Sequence, residues 1–418
     1  MQAEQDSNSD IKVIYPMLGQ RQHLLNDRFA ETLQQVAQML IAEHPEAIES
    51  IVALIGNLSI NIYEFPRGNR AKNIEIAITG YQIVLNNRQP GSEEYAGTQN
   101  NLAAAYSDRI NGSRADNLER AIEFYHAALT VLTPDDFPED WAMNQNNLAI
   151  AYSDRINGSR ADNLEKAIEF YHAALTIRTR EDFPQDYTET LFNLGNLYRS
   201  NQQWQLAYDT YAPAIETVEF LRGQIQSGDE TKQKLAEEWN QLYLGMVEVC
   251  IELQRYTEAV EYAERSKARN LVELFANREI KPKGSIPETV LNELSRLRRE
   301  IETEQRQLEI EQINRNSKGG MISETRLLEE TRFLSNRTHI NQLQQQLDEL
   351  ITHDIKPIDP NFSLTQKVEP IPYSQIQSLT GENTAILEWY ITGDKFITFI
   401  ITPLSPTPII WQSSTADF

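Results

Sequence analysis

The sequence predicts a mainly α-helical protein: a superhelix of stacked helix pairs, then a long helical hairpin, then a small piece of antiparallel sheet. Three observations carry this prediction. Residues 100–130 recur almost unchanged at 146–176, differing only at Ala104/Ile150 and Arg120/Lys166. Apolar residues recur at helical spacing from about residue 22 to residue 352. The period changes to β-branched and aromatic runs only in roughly the last forty residues.

Residues 1–20 read as a flexible tail. Leu24, Phe29, Leu33, Val36 and Leu40, then Ile48, Ile51, Leu54 and Leu58, mark two helices that open the array from residue 21. Five repeat units follow, near 48–85, 94–133, 140–179, 188–221 and 239–275, so that the array spans 21–278. Within the third, Leu148, Ala151 and Tyr152 form the stripe of a first helix. Asn157-Gly158 supplies a left-handed turn, and Asp162-x-x-Glu165 reads as the capping box of a second helix. Ala167, Ile168, Tyr171, Ala174 and Leu175 line that helix's apolar face. One such hairpin cannot bury both of its apolar faces, so the copies must stack. Pro213, inside a predicted second helix, removes a backbone donor and is expected to kink it.

Residues 279–380 read as a helical hairpin linker, within which Pro287 to Thr352 shift in composition to Glu, Gln, Arg and Leu. Leu291, Leu294, Leu297, Ile301 and Leu308 predict one long helix, and Leu327, Leu328, Leu343, Leu347 and Leu350 a second. Asn316 to Gly320 is the turn of an antiparallel hairpin; a dimeric coiled coil is the alternative. In the final segment, 381–418, Thr384–Tyr390 and Phe396–Thr402 flank a hairpin loop, and Pro408–Trp411 is a third short strand. Three strands gain little independent stability unless something covers them.

The unit at 188–216 carries Leu191-x2-Leu194-Gly195-x2-Tyr198, then Ala207-x3-Tyr211 and Ala214. This is similar to the tetratricopeptide repeat signature, with Leu where Trp is usual and no closing Pro. The preceding units fit the same frame if the turn within INGSRAD carries an insertion. The order of parts, with AVEYAERSKARNLVELF at 259–275, the helical hairpin and ENTAILEWYITGDKFITFIIT, resembles the lead-in to a CHAT domain. CHAT domains are caspase-like cysteine-peptidase domains attached to tetratricopeptide arrays in bacterial signalling proteins. The resemblance covers about residues 60–418 and implies that the terminal strands begin an α/β domain truncated at Phe418. It places the catalytic His and Cys beyond these strands, and no residue of this chain matches them. The resemblance therefore implies a non-catalytic chain, not an enzyme.

The chemistry legible in the residues agrees with that implication. A caspase-type mechanism needs a thiolate and a histidine base together, yet the single cysteine, Cys250, falls at a first-helix position equivalent to Tyr106, Tyr152 and Tyr198. A buried, inert thiol is expected there. The six histidines lack metal-ligand spacing, and His126 and His172 are repeat equivalents best explained by packing. No cofactor or metal is expected. With 61 acidic and 38 basic residues the chain carries a formal charge of −23, which disfavours a nucleic-acid partner and an anionic membrane surface. The absence of an apolar export signal or spanning run points to a cytoplasmic protein.

What remains is a surface. The first helices of a tetratricopeptide array line a concave groove, and the resemblance implies a protein or peptide ligand there. Asn101, Asn147 and Asn193 share one equivalent position, and Asn196 and Arg199 neighbour it in the fourth unit. Asp108-Arg109 and Asp154-Arg155 are expected to pair with each other across repeats, each exposed pair worth under about 1 kcal/mol. The preferred reading is a peptide-binding scaffold, the sensing half of a CHAT-type protein. The alternatives are one part of a split cysteine peptidase completed by another polypeptide, or a structural array that self-associates through its hairpin or terminal strands.

Overall fold

The computed structural model describes residues 4, 7, 9–224, 229–267, 282–317, 323–359, 362, 371–392 and 395–414. It is mostly helical with one small sheet, and it divides into two compact units: residues 1–179 with 310–331, and residues 180–309 with 332–418.

The first unit is a run of helix pairs. Helix α1 spans Ile11–Gln20, where a flexible tail was expected. Asp10 caps its first turn, and Ile14 and Leu18 enter a core with Leu33, Val52, Ile55 and Ile62. Helix α2 (Asp27–Glu43) follows, then three pairs: α3 (Ile48–Glu64) with α4 (Arg70–Asn87), α5 (Glu93–Ser107) with α6 (Arg114–Ala128), and α7 (Pro138–Asp154) with α8 (Arg160–Leu175). From α2 on, each helix packs on the next in sequence, and the first helices touch in turn, α3 on α5 and α5 on α7. Small residues make this possible: Ala103, Ala105, Ala121, Ala149, Ala151, Ala167 and Ala174 are essentially inaccessible, and Tyr106, Tyr125, Tyr152 and Tyr171 fill the space between them.

The turns between paired helices are built identically. Gly112 and Gly158 adopt φ near +83°, a conformation that costs other residues energy. The N-cap of the second helix lies three residues before the expected Asp162: the Ser159 hydroxyl accepts from the Asp162 amide at 3.5 Å, as Ser113 accepts from Asp116 at 3.3 Å. Asp162 is thus inside the first turn, where its charge favours the helix dipole. A buried asparagine then pins the turn to its helix. Asn163 donates to the carbonyls of Arg155 and Asn157 (3.4 and 2.9 Å), and Asn117 donates to those of Arg109 and Asn111 (3.3 and 2.9 Å).

The second unit holds α9 (Pro184–Ser200) with α10 (Trp204–Gln224) and α11 (Asp229–Glu252) with α12 (Tyr256–Lys267). Helix α10 continues through Pro213. Tyr211 of α10 is fully buried between two glycines: a Cβ at Gly195 would lie 2.4 Å from its ring, and one at Gly245 would lie 3.0 Å from its hydroxyl. The glycine of the repeat signature is therefore a matter of clearance rather than backbone conformation. Helices α13 (Glu288–Ser317) and α14 (Ser323–Leu350) share one core, in which Leu294, Leu297 and Ile301 meet Leu343, Leu347 and Ile351. The expected turn residues Lys318 to Gly320, and most of the AERSKARNLVELF segment (Ala268 to Phe275), lie outside the described residues.

After a π-helical turn at Ile351–Ile355 and the short helix α15 (Tyr373–Ser378), the chain forms three antiparallel strands in the order β1-β2-β3: β1 Ile386–Thr392, β2 Lys395–Ile401 and β3 Ile409–Ser414. The loop residues Gly393 and Asp394 lie outside the described residues. The register aligns Leu387 with Ile400 and Ile409, Trp389 with Thr398 and Trp411, and Ile391 with Phe396 and Ser413 on one face. On the opposite face the side chains of β1 and β2 are buried: Glu388, Tyr390, Ile397, Phe399 and Ile401 are all under a tenth exposed. Lys267, at the end of α12, donates to the Glu388 carboxylate (2.9 Å) and to the Trp389 carbonyl (2.8 Å), while Lys395 reaches Glu248 of α11 (3.2 Å). These bonds fasten the strands to the last helix pair.

Candidate peptide-binding groove

Helices α5 and α7 are buried almost all round, and each leaves one half-exposed stripe. On α7 it runs through Met143, Asn147 and Ile150; on α5 through Gly97, Asn101 and Ala104. The spacing of four and then three residues keeps each stripe on one side of its helix. Helix α3 carries the same stripe at Ala53, Asn57 and Ile60. Asn57 belongs with the predicted asparagines, and sequence reading missed it. The signal was present, since Asn57-Leu58 and the Ile62 position align with Asn101-Leu102 and Tyr106 at the offset of 44 that also relates Arg70 to Arg114.

The side chains of Asn57, Asn101 and Asn147 are half-buried and have no hydrogen-bond partner among the described residues. Because α3 touches α5 and α5 touches α7, the first unit carries three amides on consecutive helices, separated by small and apolar side chains. An amide offers donor and acceptor together, the combination that matches an extended peptide backbone. In the second unit Asn193 is likewise half-buried without a partner. Asn196 and Arg199 are engaged within the unit itself: the Tyr211 hydroxyl donates to Asn196 Oδ1 (2.7 Å), and Arg199 pairs with Glu248 (3.2 Å). These two hold α9 to its neighbours rather than standing free.

The charges beside the stripe are tied into the array. The charges pair across repeats, but not with each other as expected: each takes another partner. Arg70 binds Asp108 (2.7 Å) and Arg114 binds Asp154 (2.9 Å). Arg109 grips Glu75 through two bonds (2.8 and 3.0 Å), and Arg155 grips Glu119 through two (both 2.8 Å). The fork geometry makes these the stronger kind of ion pair, and the bond from Arg155 holds the Glu119 carboxyl below its ordinary range. Glu64, the equivalent of Asp108 one repeat earlier, has no ion pair among the described residues. It lines a cavity of about 410 Å³ with Tyr63, Phe65, Pro66 and Arg67, and burial pushes its carboxyl up.

The remaining candidate chemistry resolves into packing. Cys250 is fully buried, and burial pushes its thiol well above the ordinary range. His126 shares a bond of 3.2 Å with the Tyr152 hydroxyl and packs edge-on against Phe170. Among the described residues no three His, Cys, Asp or Glu side chains gather as a metal site, and no helix is long and apolar enough to cross a membrane.

One family model agrees with the repeat geometry. Residues 96–138, which take in most of α5, all of α6 and the start of α7, match the tetratricopeptide repeat family. No curated protein matches the chain. Among solved structures it is similar to BtubC (BKLC) from P. vanneervenii, at 20% identity over 62% of this chain and 96% of that one, with a TM-score of 0.43. It is also similar to a putative kinesin light chain with nearly identical TPR-like repeats from Podosopora anserina (15% identity, 57% and 100% covered, TM-score 0.37). The apo form of RapI is a third (14% identity, 71% and 99% covered, TM-score 0.38).

Proposed function

We propose that this chain, which carries tetratricopeptide repeats, is a binding scaffold that holds an extended segment of a partner protein against α3, α5 and α7. The observation that carries the reading is the row of partnerless, half-buried amides at Asn57, Asn101 and Asn147. Half-exposed amides without a protein partner exchange water for a ligand's backbone on binding, typically a net gain of about 0.5–1.5 kcal/mol for each bond completed. The stripe between them has no charged side chain, and the chain carries a net −23, so an uncharged or basic segment suits it better than an acidic one. The motif at 384–402 and the segment at 259–275 support the further reading that the scaffold is the sensing part of a CHAT-type bacterial signalling protein, acting in the cytoplasm.

The test is selection of a random peptide library displayed on phage against the purified chain, followed by titration of the enriched peptides. Replacing Asn57, Asn101 and Asn147 together by Ala is expected to weaken those peptides by about tenfold or more while leaving helix content unchanged. Enrichment of peptides that bind the triple variant equally well would remove the groove from this role.

A further inference from the structure

Each first helix of the first unit closes on an acid at one equivalent position: Glu64 at the end of α3, Asp108 one residue past α5, and Asp154 at the end of α7. Two of the three are met from inside the array. Arg70, the first residue of α4, binds Asp108 (2.7 Å), and Arg114, the first residue of α6, binds Asp154 (2.9 Å). Helix α2 opens instead on Asp27, which holds Lys72 (2.6 Å), so Glu64 is left without an ion pair among the described residues. A carboxylate in the last turn of a helix faces the negative end of the helix dipole and gains from a cation beside it. Glu64 is reachable from solvent, yet partial burial of its carboxyl pushes it up, with no cation to pull it back.

We infer that Glu64 and the cavity beside it take an arginine side chain carried by the segment bound in the groove, completing from outside the pairing that Arg70 and Arg114 make from within. The inference rests on the proposed groove for the source of the arginine, not for the site itself. The cavity, of about 410 Å³, falls in the size range of ligand sites, and the aromatic walls at Tyr63 and Phe65 suit a flat guanidinium better than a compact ammonium. Arg70 shows the fit, lying 4.5 Å above the Tyr63 ring while it binds Asp108. Arg67 also lines the cavity and makes no bond to Glu64. Glu64 stands seven residues past Asn57, about 10 Å along α3, a span that an arginine and a glutamate side chain cover together. The arginine therefore belongs at the α3 end of the segment, at or next to the residue whose backbone meets Asn57. A net charge of −23 favours such a partner over an acidic one.

The site is tested with acetyl-arginine amide against acetyl-citrulline amide, which has the same shape without the charge, each titrated onto the full chain by saturation-transfer NMR. The arginine probe is expected to bind about tenfold more tightly, and Glu64→Gln to remove the difference. Should Glu64→Gln disturb the helical circular dichroism, Glu64→Lys at the same exposed helix end repeats the test. The variant with Asn57, Asn101 and Asn147 replaced by Ala should bind the arginine probe as the wild type does, so failure of the groove leaves this measurement intact. Peptides selected against the chain should carry an arginine near one end, and its replacement by citrulline should weaken them about tenfold on the wild type and not at all on Glu64→Gln. Equal binding of the two probes, binding of neither, or an arginine preference that survives both substitutions overturns the inference. So do selected peptides that occupy the groove without an arginine.

Discussion

Single side chains decide whether a repeat is finished or left open. At one position of the first helix the second and fourth repeats have threonine, Thr98 and Thr190, whose hydroxyls donate to the Glu94 and Asp186 carbonyls of their own helices (2.7 and 2.8 Å). The third repeat has Asn144 there, inaccessible and with neither polar atom of its amide partnered. An orphaned buried amide costs roughly 1–3 kcal/mol. Asn144→Thr is therefore expected to raise stability by about 1 kcal/mol, read as a higher urea midpoint at unchanged slope; no change or a fall would mean the amide is satisfied after all. The sequence made much of this scale legible. The spacing of Leu191, Gly195 and Tyr211 identified which residues meet, because the close approach forbids anything larger at 195. It hid the roles of Asn117 and Asn163, since an asparagine that ties down a loop looks the same in a string of letters as one that faces water.

At the scale of elements, local chemistry and tertiary fit part company. Helices α5 to α8 were readable because two copies of one stretch must solve one packing problem. The N-cap was misplaced because Ser159 and Asp162 are both good capping residues, and only the fold shows which backbone amides lack partners. Helix α1 was hidden by Pro16 and by its dependence on a core it joins from outside the repeats. The terminal strands were legible from their aromatic and β-branched runs, but not their fastening through Lys267. Glu388 in that fastening is pushed up to about 7, first by burial and then by nearby Glu264, against the pull of Lys267. A carboxyl raised in the folded state favours folding below its unfolded value near 4.5, and that contribution is lost as pH rises through about 7. Stability should accordingly fall between pH 5 and pH 8 by on the order of 1–3 kcal/mol through this group. Glu388→Gln should flatten that part of the profile, and equal slopes in both proteins would show that Glu388 ionises freely.

For the whole molecule the governing fact is that each helix pair answers mainly to its neighbours, so stability accumulates repeat by repeat. The ion pairs that span repeats share one chemistry: Arg70 and Glu75 receive Asp108 and Arg109, and Arg114 and Glu119 receive Asp154 and Arg155. Removing residues 101–146 would join Asn100 to Asn147 without altering the flanking letters, and would present Asp154 and Arg155 to Arg70 and Glu75. That shortened chain is expected to fold with helix content reduced in proportion and cooperative melting retained; a molten product would show that the two copies are not interchangeable. A gene carrying such a duplication can lengthen or shorten by unequal crossing-over, and each product inherits a ready-made seam. Array length is then an adjustable trait, and with it, on the function proposed above, the span of partner that one molecule can embrace.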